Sequence, residues 1–422
     1  RSGAGPGDDV GGDGRGYSGR VPRGVGVTAE RASQPLHVGL NLLYLLPGEV
    51  GGTETYARSL VAELDALAGD DRYTLYVNRE AAGLFDDAGL ARCTVSVCPV
   101  DAARQWKRYA YEQLRLARRA RSDGVDVLHS LGYVGPRSTH CPHVVTIHDL
   151  IYVGFADTMA ASKRRLLRFF VRRSARHAAR VITVSSASKA AIVDDIGLAP
   201  SRVTVIHEAA RRDLLADRGS TTDDDEVLRR HGVVTPYVVA FSSASASKNI
   251  PALLDAFAAI PGGAQLEDGR ACALVLVGRV PADGKIAATI DRLGLGDRVV
   301  VTGYVADADI AVLIGNAVVF AFPSRYEGFG LPVLEAQLLG VPVVASNAAS
   351  IPEVAGNGAL LFDPRSAAEI ASALATTLGE ADVRDDLVRR GRLNAARFSW
   401  ERAAQATREV YRESFVGSPG AT

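Results

Sequence analysis

The chain has 422 residues, more than one ordinary core holds, so length alone points to two domains. Hydrophobic residues make up 47% and charged residues 23%, the balance of a globular protein, and the 48 basic and 48 acidic residues cancel, which gives no ground for a nucleic-acid partner. No apolar run approaches the ~20 residues of a membrane span, and Cys93, Cys98, Cys141 and Cys272 lack metal-type C-x-x-C spacing, so they read as small buried thiols in a reducing cytoplasm.

Residues 1–33 are rich in Gly, Asp and Arg and poor in apolar side chains. They cannot offset their ordering entropy by burial and are expected to form a disordered tail. The tail has no apolar h-region of a secretory signal. The chain does not begin with Met, so the true N-terminus is expected to lie upstream.

From residue 34 to 210 a β-α-β pattern runs. "HVGLNLLYL", "YTLYVN", "CTVSVCPV", "VDVLHS", "HVVTIHD", "RVITVS" and "RVTVIHE" read as short strands between helical segments, the first helix being "GGTETYARSLVAELDAL". Wholly apolar strands alternating with helices predict a parallel sheet covered on both faces. Residues 211–235 are polar and read as a linker. A second series follows over 236–398: "YVVAFSS", "CALVLVG", "RVVVTGY", "AVVFAFPS", "PVVAS" and "GALLFDP". An amphipathic helix over 399–416 closes the chain. The expectation is an α/β protein of two Rossmann-like domains facing across a cleft, with ligand-binding loops at the carboxyl ends of the strands.

Four strand-end loops carry chemistry. In "GEVGGTETYA", Gly51 and Gly52 let backbone approach a ligand ahead of a helix start; an ordinary Gly turn capped by Thr53 is the alternative. His148 follows an apolar strand and can donate to a sugar hydroxyl or carbonyl. His129 has the same strand-end placement in weaker surroundings. Lys248 in "FSSASASKN" is a point charge suited to phosphate at a strand–loop–helix junction. In "PSRYEGFGLPVLEA", Gly328 and Gly330 permit a tight turn, Pro332 suits a helix start, and Gly340 a helix end. Bare amides at that start form an anion site suited to a diphosphate. Glu335 lies one turn in, where an ionised carboxylate can accept from both hydroxyls of a ribose diol. Glu327 as a loop charge and Glu335 as a dipole partner form the plainer reading, which leaves their pairing with the glycines unexplained.

Asp307 and Asp309 form a D-x-D, a metal-binding pattern in some sugar transferases, but they precede a helix start, where aspartates cap. Two basic helical segments, Trp106 to Arg121 and Ser162 to Arg180, read as core-facing stripes with solvated arginine faces. The alternative for the second is contact with an anionic membrane surface or a phosphorylated acceptor.

"EGFGLPVLEA" followed by "GVPVVASNAASIPEVAGNGALLFDP" closely resembles the nucleotide-sugar motif of glycosyltransferase family 4, the retaining GT-B enzymes. "GGTETYA", "TIHDL", "VSSASKAAI", "SKN" and "RFSWERAA" look like that family too, so the resemblance covers about Leu36 to Phe415. It implies a GT-B fold whose C-terminal helix returns to the first domain. It implies sugar transfer from a nucleotide-diphosphate sugar, of the GDP-mannose or UDP-glucose kind, to a glycan, lipid-linked or small-molecule acceptor. No cofactor or metal is implied, and the place of action would be the cytoplasm or the inner face of its membrane. Glu335 would bind the ribose, and Glu327 would sit by the anomeric centre. The amides of Phe329, Gly330 and Leu331 would hold sugar and phosphate oxygens. Lys248 would neutralise the diphosphate, Gly51 and Gly52 would close on it, and His148 would touch the sugar.

Two departures stand out. The loop before Lys248 carries Ser242, Ser243 and Ser247 where the family usually places Gly and Arg; serines donate to phosphate oxygens but bring no charge. Glu208 replaces a common Asn-Gly turn. They imply altered donor affinity, a cation from elsewhere, or reduced activity. Rival readings keep the fold but make the chain an epimerase, a phosphorylase, or a non-catalytic sugar-nucleotide-binding subunit.

Overall fold

The computed structural model describes residues 34–48, 51–154, 161–211, 214–217, 224–243, 245–281 and 283–418. The Gly-rich tail at 1–33 lies outside the described residues, as does the centre of the polar connection at 218–223.

Each apolar run forms a strand. Among the described residues the first sheet holds β1 (His37–Asn41), β2 (Arg72–Val77), β3 (Cys93–Val97), β4 (Val127–Ser130), β5 (His143–Thr146), β6 (Arg180–Thr183) and β7 (Val203–Val205) in the order 3-2-1-4-5-6-7. The second holds β8 (Tyr237–Phe241), β9 (Ala273–Val277), β10 (Val299–Gly303), β11 (Val319–Phe322), β12 (Val343–Ser346) and β13 (Ala359–Phe362) in the order 10-9-8-11-12-13. Every pairing is parallel, for example Val38 beside Val127 and Phe320 beside Val343. Central strands such as β4, β5, β11 and β12 are buried at every residue, whereas the edge strand β10 is only half-buried, as expected for sheets covered on both faces.

Strand order reverses between β1 and β4 in one sheet and between β8 and β11 in the other. At such switch points adjacent loops diverge and open a crevice at the carboxyl edge. The loops bearing Gly51–Gly52, Lys248 and Glu327 follow β1, β8 and β11, and the one bearing His148 follows β5.

Helix α1 (Gly52–Ala66) buries Tyr56, Leu60 and Leu64 along one stripe and Ala57 and Val61 beside it, the four-residue spacing of a half-buried helix. Helix α2 (Ala161–His177) buries Val171, Ser174 and Ala175, and α3 (Ser186–Ile196) follows β6 with Ser185 as its cap. In the second domain α4 (Ile250–Ala258), α5 (Asp307–Gly315) and α6 (Leu331–Leu338) follow β8, β10 and β11. The final helix, α7 (Trp400–Val416), returns to the first domain. Its Trp400, Ala404, Val410 and Tyr411 join the core cluster of Leu40, Tyr56 and Val127. Each large apolar side chain so buried stabilises by roughly 1.5–3 kcal/mol. Arg412 adds an ion pair to Asp71 at 3.0 Å, and Tyr411 Oη lies 2.7 Å from His129 Nδ1.

Candidate active site

Gly330 adopts φ +117°, a conformation that L side chains rarely adopt, and so turns the chain from the β11 loop into α6. Pro332 lies in the first turn, where a missing N–H costs nothing. The first amides of α6 therefore face the cleft without a side-chain cap. Opposite stands the start of α1, with Gly51 at φ +56° and again no side-chain cap. A methyl group built on Gly52 would lie 3.7 Å from Leu331 Cδ1, so the two helix starts face each other closely. Two positive helix ends aimed at one space attract an anion more strongly than one.

The loop after β8 places Lys248 at the end of a single 3-10 turn, Ala246–Lys248. Ser245 caps that turn by accepting from the Ser247 amide. Asn249, at φ +57°, donates to the Pro323 and Pro364 carbonyls at 3.2 and 2.7 Å and so pins the loop against the end of β11. Lys248 Nζ then donates to Glu327 Oε1 at 2.7 Å and stands 5.1 Å over the Phe322 ring. The Ser243 hydroxyl accepts the Ser245 amide within the loop, and Ser242 lines the cleft.

A cavity of about 480 Å³ joins these parts. Gly51, Gly52, His148, Lys248, Glu327, Phe329, Gly330, Leu331 and Glu335, all singled out from sequence, line it. Glu335 is nearly buried and accepts from Arg211 Nε at 3.2 Å. Both nitrogens of His148 face protein acceptors, Nδ1 toward Glu208 at 3.2 Å and Nε2 toward the Leu131 carbonyl at 3.2 Å. A sugar hydroxyl reaches the imidazole only by sharing or displacing one of these. His129 faces no ligand space: it sits between Tyr411 and Thr146, and burial holds its pKa down at about 3.

The cleft also holds residues that the sequence reading did not single out. Tyr133, at φ +62°, hydrogen-bonds Asp149. Burial pushes the Asp149 carboxyl above its ordinary range, with Glu327 adding to the effect and the Ile151 amide and His148 opposing it. A bulky residue held at positive φ costs on the order of 1–3 kcal/mol and persists only where the surroundings enforce it. Arg211 belongs to the predicted linker; the available signal was its place just past the strand end that carries Glu208. Of the D-x-D pair, Asp309 accepts from His231 and Arg230 at 2.9 and 3.3 Å, and Asp307 turns its backbone and side chain toward Arg211.

The two domains meet beside this cavity. The Gly328 carbonyl accepts from Ser185 Oγ at 2.7 Å and Ser188 Oγ at 3.2 Å. A methyl on Gly328 would stand 2.8 Å from the His148 carbonyl, so only glycine allows this approach. Glu353 accepts from the Ser186 amide and hydroxyl and lies 2.7 Å from His207 Nε2.

Two parallel-sheet domains with facing switch points and a cleft bounded by two helix starts define a GT-B glycosyltransferase. Residues 225–394 match the family profile "Glycosyl transferases group 1", and residues 50–212 match "Glycosyltransferase Family 4". The chain is 30% identical over 287 residues to the O-antigen chain mannosyltransferase B of Escherichia coli, covering 66% of this chain and 74% of that one. It is 29% identical over 289 residues to the MMP alpha-(1->4)-mannosyltransferase of Mycolicibacterium hassiacum, covering 65% and 66%. Its fold matches that of Anabaena HepE, solved in complex with UDP and glucose, with a TM-score of 0.66 at 21% identity over 89% of this chain and 99% of that one. The chain belongs to glycosyltransferase family 4 and is a glycosyltransferase.

Proposed function

We propose that the enzyme is a retaining hexosyltransferase. It moves a hexose from a nucleotide-diphosphate sugar, of the GDP-mannose or UDP-glucose kind, to a hydroxyl of a glycan, lipid-linked or small-molecule acceptor. The mannosyltransferase relatives favour a mannose-type donor. The observation that carries this reading is the pair of glutamates, each held by a cation, beside two facing helix starts in one cavity.

Glu335 accepts from the ribose hydroxyls, and Glu327 from the sugar near its anomeric carbon. The diphosphate lies against the starts of α1 and α6 with Lys248 beside it. Amides, dipoles and ammonium stabilise the charge that grows on the leaving phosphate as the C1–O bond breaks, without a metal. The acceptor oxygen bonds to C1 on the face the phosphate leaves, and its proton passes to a phosphate oxygen of the departing nucleoside diphosphate. His148 borders the sugar, held by Glu208.

The domain assignment that goes with this reading takes 34–210 as the acceptor side, 211–235 as the linker, 236–398 as the donor side and 399–416 as the returning helix. Arginines 165, 168, 172, 173 and 176 surround the half-exposed Phe169 on α2, which supports peripheral contact with an anionic cytoplasmic membrane face. Among the described residues no helix is long and apolar enough to cross a membrane.

Thermal stabilisation by a panel of nucleotide sugars identifies the donor by mass action. In steady-state assays with that donor, Glu335→Ala raises KM by roughly 10- to 100-fold, the cost of a lost charged hydrogen bond. Glu327→Ala lowers kcat by about 100-fold or more. Sugar transfer left intact in both variants would refute the site.

A further inference from the structure

The cleft has an unfavourable charge balance for the ligand just proposed. Among its described lining residues are five carboxylates, Asp149, Glu208, Asp307, Glu327 and Glu335, against two permanent cations, Lys248 and Arg211. The serine loop after β8 supplies hydroxyls but no further positive charge. Each cation already faces a carboxylate: Lys248 on Glu327 at 2.7 Å, Arg211 on Glu335 at 3.2 Å. Arg211 also donates to the Asp307 carbonyl at 3.5 Å and lies 3.7 Å from its carboxylate. Its side chain is only 11% exposed, yet it borders both the central cavity and an adjoining one of about 490 Å³ that reaches Glu54, Arg58 and Tyr304.

A carboxylate offers only acceptors and a guanidinium only donors. A nucleoside diphosphate carries the complement of both: a ribose diol that donates and a diphosphate that accepts. We propose that Arg211 is the second cation of the donor diphosphate, stored on Glu335 until the ribose displaces it. This rests on the donor-site reading above and deepens it. Donor binding is then an exchange of partners. The ribose hydroxyls take Glu335 and the hexose takes Glu327. The released guanidinium and ammonium take the diphosphate, bidentately in the case of Arg211. The exchange explains how a cleft rich in carboxylates admits a dianion: the two pairs keep Lys248, Arg211, Glu327 and Glu335 compensated before the ligand arrives. It also gives the charge missing from the serine loop a source on the segment that leaves β7.

The rival explanation makes Arg211 a strut tying that segment to α5 and α6. Calorimetry on the full chain separates the two, using GDP and UDP directly and guanosine and uridine by competition. With whichever diphosphate the wild type binds, Arg211→Gln weakens affinity by about tenfold or more, and Arg211→Lys recovers part of the loss. Affinity for the matching nucleoside stays the same or rises, because the ribose no longer competes with a guanidinium for Glu335. Equal losses for nucleoside and diphosphate would establish the strut and overturn the proposal, as would undiminished diphosphate binding. If Arg211→Gln does not fold, Arg211→Lys carries the same comparison, with a smaller loss confined to the diphosphate. A wild type that binds neither GDP nor UDP overturns the donor-site reading itself, and the exchange with it.

Discussion

Glu112 lies in the π-helical turn Glu112–Leu116 and is 1% exposed, near Asn41 at the end of β1. Burial raises its pKa from 4.5 to about 7, against the opposing pull of Arg108 and of the Asn41 contact. A carboxyl whose folded pKa is raised is best tolerated below its unfolded value, so this stabilisation is whole below pH 4.5 and lost as pH rises to about 7. A displacement of that size corresponds to roughly 3 kcal/mol at most. Glu112→Gln, nearly isosteric and neutral, therefore melts higher than wild type at pH 8, and the difference shrinks toward zero at pH 5. A gap of equal size at both pH values would disprove the assignment. Residues of this kind are silent in a sequence, because Glu112 sits in a helical pattern that reads as basic and solvated. Glu327, Glu335 and Lys248 were legible because each stands beside a glycine turn or a helix start. Arg211 was not, since its partners Glu335 and Asp307 are 124 and 96 residues away along the chain.

At the scale of elements, the thirteen apolar runs all became strands, the central ones buried on both faces and the edge strands β3 and β10 only in part. The functional sense of α2 is harder to read from its pattern. Val171 and Ala175 pack inward, but Leu166 and Phe169 remain 46% and 56% exposed among arginines, so the simple picture of a core-facing stripe holds for only part of its apolar side. Arg168 and Arg172 are engaged by Asp195, and Arg173 lies 5.8 Å over the Phe169 ring. An arginine at an anionic surface contributes about 1 kcal/mol. The enzyme should therefore co-sediment with phosphatidylglycerol vesicles and not with phosphatidylcholine vesicles, and binding should fall in high salt. Phe169→Ser combined with Arg173→Glu should reduce the bound fraction several-fold. Equal sedimentation with both lipids would rule out a role for this face in membrane contact.

At the scale of the molecule, the two domains meet through apolar packing of Phe329, Leu334 and Val354 with the first core and through a small polar contact at Glu353. Burial opposes ionisation of Glu353, but hydrogen bonds from His207 and Ser186 outweigh it and hold the carboxyl below its usual range. A depressed carboxyl pKa contributes stability above about pH 4.5 that disappears as pH falls through the folded value. Glu353→Gln should loosen the closed arrangement, seen at neutral pH as a larger radius of gyration in small-angle scattering without ligand. Acidification below pH 4.5 should move the wild type the same way. A variant with unchanged radius at neutral pH would show that the Glu353 contact is dispensable and that the apolar packing and the Ser185 and Ser188 bonds to Gly328 suffice.

By itself the sequence determined the two sheets, their strands and the loops that bear the chemistry, because those follow from local hydrophobic period and from glycine, proline and helix-start residues a few positions apart. Tertiary structure alone decided which polar groups meet: Arg211 with Glu335, Lys248 with Glu327, His148 with Glu208, Glu353 with His207. Those pairs join residues 60 to 146 positions apart, and no local rule encodes them. Their geometry is set by the crossing of two strand-order reversals and the return of α7 to the first domain.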